Sequence, residues 1–104
     1  MPKRVYLATT NLLFRSKLAA AVAAAGGEVT RDAAACDLAV VELEPAGPMT
    51  TIRTVVERGV PVLAFGSHVA AAALRAAREA GAVAVPNSQV AERLRAMLTS
   101  PPAE

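Results

Sequence analysis

Short β-branched runs alternate with alanine-rich stretches of helical period along this chain, and that alternation restricts what it can fold into. Val5 to Ala8 is an apolar run that ends at Thr9, Thr10 and Asn11, the pattern of a buried strand meeting a helix cap. Phe14, Leu18, Ala21, Val22 and Ala25 then recur at helical spacing until Gly26 and Gly27 end the helix. Glu28 to Thr30 is a short second strand. Leu38 to Leu43 is continuous and β-branched, as expected of a strand covered on both faces. Pro45 to Pro48 is a turn, and Ile52, Val55 and Val56 mark a short helix closed by Gly59.

Val60 to Phe65 is the fourth strand, ending at Gly66 and Ser67. The following helix is expected to open at Ser67. Its inner face is read as Val69, Ala72, Ala73, Ala76, Ala77 and Ala80, with Arg75, Arg78 and Glu79 outside. Ala82 to Val85 is a fifth strand. Ser88 opens a last helix with Val90, Leu94, Met97 and Leu98 inward and Glu92, Arg93 and Arg95 outward. Strands that alternate with helices pair in parallel through right-handed crossovers. The expectation is therefore an α/β, flavodoxin-like three-layer sandwich with a five-stranded parallel sheet in the order 2-1-3-4-5. Residues 1–98 form one domain, and 99–104 are expected to be a frayed tail. Only Arg31 to Asp37 separates the second strand from the third, whereas a parallel crossover takes about a dozen residues or more. The second helix is therefore reduced to about one turn or replaced by an extended crossing.

The chain has 104 residues and a formal net charge of +2, with basic residues scattered singly and aromatics at 3%. A basic stripe with stacking rings is absent, which argues against nucleic acid as a direct ligand. Cys36 is the single cysteine, so no internal disulfide and no cysteine-built zinc cage can form, and it reads as a small buried hydrophobe. After Lys3 and Arg4, Val5 to Ala8 is too short for a signal-peptide core, and the longest apolar runs are interrupted by charge or glycine before membrane-spanning length, so a cytoplasmic location without membrane contact is the default expectation.

Three segments carry a family resemblance. DLAVVELEP, Asp37 to Pro45, is similar to the third strand of response-regulator receiver domains, whose apolar run ends in the phosphoacceptor aspartate with a proline soon after. VPVLAFGS, Val60 to Ser67, resembles the fourth receiver strand, which ends in Thr or Ser. AREAGAVAV, Ala77 to Val85, resembles the sequence leading into the fifth. The resemblance implies a chemotaxis-regulator-like fold, but the phosphorylation residues depart from the pattern. Thr9, Thr10 and Asn11 stand where receivers hold Mg²⁺ with acidic side chains, and they lack the anionic oxygens a hard cation wants. Glu42 stands at the phosphoacceptor position, and Asn87 or Ser88 at the lysine position; the hydroxyl survives as Ser67. Phosphoryl transfer depends on positioning and charge neutralisation. A site without metal ligands, nucleophile or lysine is expected to be inert, a pseudo-receiver.

Ligands of open α/β sheets bind outside the carboxyl ends of the strands. The degenerate positions Thr9, Thr10, Glu42, Ser67, Asn87 and Ser88 project there, and Asn11, Glu44, Gly66 and His68 join them as possible ligand or partner contacts. Thr10 or Asn11, Ser67, and Asn87 or Ser88 have an ordinary role as helix N-caps; the functional alternative is anion binding by the helix starts, for which Gly66 is the one glycine in place. Glu42 reads either as a solvated strand-end carboxylate bonded to a neighbouring hydroxyl, or as a stand-in for a phosphorylated aspartate within reach of Ser67. His68, the only histidine, is adjacent to Ser67 and badly placed to act as its base, so no catalytic residue, metal site or cofactor is assigned. Leu12, Leu13 and Phe14 give the first helix more apolar surface than one buried face needs, which suggests a protein contact.

Two functions compete. The first is a non-enzymatic, stand-alone receiver-like module that contacts an unidentified protein in signalling or regulation without aspartyl phosphotransfer. Receivers commonly dimerise through the last two helices, and the resemblance implies a homodimer here. The second is a small-ligand-binding or enzymatic flavodoxin-like domain that uses the strand ends.

Overall fold

The computed structural model describes residues 3–43, 49–67 and 69–99. Five parallel strands form one sheet: β1 (Arg4–Ala8), β2 (Glu28–Thr30), β3 (Leu38–Glu42), β4 (Val62–Gly66) and β5 (Val83–Pro86), in the order β2-β1-β3-β4-β5. The order follows from the burial pattern. β3 and β4 have apolar side chains on both faces and take central places, whereas three-residue β2, with Glu28 and Val29 exposed, closes one edge. Tyr6 pairs with Thr30 on one side of β1 and with Ala39 on the other. Glu42 is registered beside Phe65, and Gly66 beside Pro86.

Four α-helices are present among the described residues: α1 (Leu12–Ala24), α2 (Met49–Glu57), α3 (Ala71–Glu79) and α4 (Val90–Thr99). Most of the larger fully buried side chains of the sheet are on one face. Val5, Leu7, Val40, Leu63 and Phe65 meet Leu18 and Val22 of α1 and Val90 and Leu94 of α4, and the Phe14 ring tilts against Phe65 with centroids 5.2 Å apart. The opposite face is lined with smaller groups, Ala39, Val41, Ala64 and Ala84, and takes Ile52 and Val55 of α2 with Leu74 and Ala77 of α3. Alanine on this face lets the helices lie close to the strands, so a core nearly free of aromatics still fills its volume.

The short connection between β2 and β3 crosses as a single 3₁₀ turn, Ala33–Ala35, in agreement with the shortened second helix read from the spacing. Asp32 caps it by accepting from Ala34 N–H at 2.9 Å, and Arg58 donates to the carbonyls of Ala33 and Ala34. Cys36 is buried beside the turn and its thiol donates to Ala33 O at 3.4 Å; burial pushes the thiol above its ordinary range.

Two helix starts differ from the sequence reading. Ser67 does not cap α3. Its hydroxyl accepts from Val69 N–H, its carbonyl accepts from Ala70 N–H, and the helix begins at Ala71 with no side-chain cap. A serine can close a local turn as readily as a helix end, and here the turn uses the residues that would have made the first helical turn. Val69 is consequently outside the helix and 78% exposed, Ala72 is exposed, and Leu74 joins Ala77 as the buried side chains of α3. Asn87 and Ser88 do not cap α4 either: Asn87–Gln89 is itself a 3₁₀ turn after Pro86, and α4 follows from Val90.

Candidate functional site at the carboxyl ends of the strands

The carboxyl ends of β1, β3, β4 and β5 gather most of the residues singled out from the sequence. Thr9 follows directly on β1 and is the one polar side chain among the described residues to fall with the buried core, at 8% exposure. Its place is set by register: Ala8 pairs with Val41, so the next residue of each strand, Thr9 and Glu42, meet across the β1–β3 seam. The Thr9 hydroxyl donates to Glu42 Oε1 at 2.6 Å and accepts from Asn11 N–H at 3.2 Å. A hydroxyl donor on a carboxylate makes a short, charge-assisted bond, and the backbone donor polarises it further. The acid at the end of the third strand is thus satisfied inside the fold.

Asn11 is the N-cap of α1, its Oδ1 accepting from Leu13 N–H at 3.0 Å and Phe14 N–H at 3.2 Å. The helix start is consumed by this cap. Thr10 is exposed next to it. Arg15, one turn into α1, is a site residue that the sequence reading missed. Its Nη1 donates to the carbonyls of Leu7 and Thr9 at 3.3 and 3.4 Å, so a cation straps α1 to the loop that carries Thr9. The available signal was a half-buried arginine among apolar neighbours at the start of a helix, which one sequence does not separate from a solvated one.

Glu42 ends β3 and Ser67 follows directly on the neighbouring strand β4, at the same end of the sheet. Gly66 is buried as the last residue of β4, beside Pro86 of β5. Asn87, just after β5, is half-buried, and its Oδ1 is enclosed without a hydrogen-bond partner. Ser88 is exposed. Glu44 and His68 lie outside the described residues. Chemically the assembly offers a bound carboxylate, hydroxyls and an amide oxygen. Among the described residues no group of three or more His, Cys, Asp or Glu side chains could hold a metal ion, and no helix is long and apolar enough to cross a membrane.

No family model matches the chain, and no curated protein matches it. Solved structures do, among them receiver domains of response regulators. The BeF3-activated DrrB receiver domain is 16% identical with a TM-score of 0.77, over 94% of this chain and 95% of that one. A putative response regulator from Chloroflexus aurantiacus J-10-fl is 18% identical with a TM-score of 0.75, over 94% and 98%. NtrX from Brucella abortus is 17% identical with a TM-score of 0.71 over 90% of this chain, which spans only 25% of NtrX. The chain shares the receiver fold with these proteins.

Proposed function

We propose that this domain is a receiver-fold interaction module that acts through contact with another protein and is not switched by aspartyl phosphotransfer. The observation that carries the reading is the 2.6 Å bond from Thr9 to Glu42. At the position where a receiver presents its phosphoacceptor stands a longer carboxylate already held by a hydroxyl of the neighbouring strand. Thr9, Thr10 and Asn11 offer no carboxylate with which to bind Mg²⁺ beside it. The surface at the strand ends is therefore set permanently, and Glu42 supplies a fixed negative charge, weaker than that of a phosphoryl group. Incubation with acetyl phosphate and Mg²⁺, followed by intact mass, tests this. The unmodified mass is expected; a phosphoryl adduct would overturn the reading.

Partner contact has two supports. Leu12 and Leu13 stand 80% and 79% exposed at the rim of the site, and Val83 is half-exposed on edge strand β5, between the arginine-bearing helices α3 and α4. The second supports a homodimer through that edge. A small-ligand or enzymatic role at the strand ends is favoured by one observation, the enclosed and unpartnered Asn87 Oδ1. A thermal-shift panel of small ligands distinguishes it, since a stabilisation lost in Asn87→Leu would place a ligand at that oxygen.

A further inference from the structure

The single turn between β2 and β3 leaves a groove on the flank of the sandwich. Ala33 and Ala34 of the turn form one wall. Thr51, Thr54 and Val55 form the other, and Arg58 stands at its end. Residues 51, 54, 55 and 58 share one face of the helical path, so the groove runs along α2 where a full crossover helix would otherwise pack. It encloses about 250 Å³. That lies just below the roughly 300–1,000 Å³ of ordinary ligand clefts and admits one small molecule.

The walls are mainly the methyl groups of Ala33, Ala34, Val55 and the threonines of α2, and the one charge is fixed. Arg58 Nη1 donates to Ala33 O at 2.6 Å, and Nη2 donates to Ala34 O. Both acceptors are neutral carbonyls, so they hold the guanidinium in place without cancelling its charge. Among the described residues the only ion pair is Arg4 with Asp37, which leaves Arg58 without a carboxylate. A guanidinium has five N–H donors, more than these two carbonyls use. A cation already immobilised loses little further freedom on binding an anion.

We propose that the groove binds a small monocarboxylate with an aliphatic or aromatic body. The carboxylate pairs with Arg58, and the body lies against Ala33, Ala34 and Val55. Neutral apolar molecules of the same size leave the cation unpaired, and acetate leaves the walls uncovered. Binding clamps the 3₁₀ turn to α2 and thereby braces the shortest crossover of the fold. This inference is independent of the state of Glu42.

The test is titration of the ¹⁵N-labelled full chain with benzoate, benzyl alcohol and acetate, followed through amide shifts. Benzoate is expected to give saturable shifts at Ala33, Ala34, Thr51, Thr54 and Arg58. Benzyl alcohol and acetate should each bind at least roughly tenfold more weakly, the loss of one charge-assisted bond or of the apolar contact. Arg58→Met should erase the preference for benzoate over benzyl alcohol. Thr54→Trp, at an exposed helical position, should fill the groove and abolish binding while the helical signal and melting temperature are kept; it carries the test if Arg58→Met does not fold. Equal affinity for benzoate and benzyl alcohol, shifts confined to other residues, or an affinity unchanged in Thr54→Trp would overturn the proposal.

Discussion

Asn11 and Thr9 are neighbours in sequence with very different legibility. Asn11 caps α1 through bonds to residues two and three positions ahead, so its role is local and can be read from a strand-end polar residue before an apolar helix. Asn11→Ala removes the acceptor of both N–H groups and is expected to cost about 1 kcal/mol in urea unfolding. Thr9 acts across 33 residues of sequence, and its bond to Glu42 exists because β1 and β3 pair in one register. Thr9→Val leaves a half-buried carboxylate without its donor and should lower stability by about 1–2 kcal/mol, while Thr9→Ser, which keeps the hydroxyl, should recover most of it. The sequence showed that Glu42 could bond a neighbouring hydroxyl. It did not show which strand would supply one.

Among the elements, strands were the most legible and helix starts the least. β3 and β4 are short apolar runs buried on both faces, a composition that few other environments tolerate. The start of α3 was misread because Ser67 can serve a turn or a helix with equal ease, and the choice follows from where β4 delivers the chain. Helix ends were clearer, because a left-handed residue favours glycine. Gly59 and Gly81 end α2 and α3 at φ +77° and +102°. They differ in their surroundings. A Cβ on Gly81 would stand 2.9 Å from Val56 Cγ1, whereas one on Gly59 meets nothing within 4 Å. Both alanine variants pay the backbone strain of about 1 kcal/mol. Gly81→Ala should be the less stable of the two by thermal unfolding, because it must also displace the Val56 side chain.

At the scale of the molecule, the sheet ends at β2 on one side and β5 on the other, and the two edges are treated differently. β2 is three residues long, too short to recruit another strand, while β5 leaves Val83 38% exposed between α3 and α4. Sedimentation is expected to show a reversible dimer. Val83→Arg should return it to the monomer mass without loss of helical signal, and a wild-type chain that is monomeric at every concentration would rule the interface out.

The alternation of strand and helix, the count of five strands, the shortened crossover and the polar residues at the strand ends were all written in the residues themselves. Each depends on local composition, spacing or identity, which the chain carries before it folds. The bond that occupies Glu42, the strap from Arg15, the isolated oxygen of Asn87 and the groove beneath Arg58 came from the assembled molecule. These depend on register and on which helix covers which stretch of sheet, and such pairings form between residues tens of positions apart only when the whole core closes.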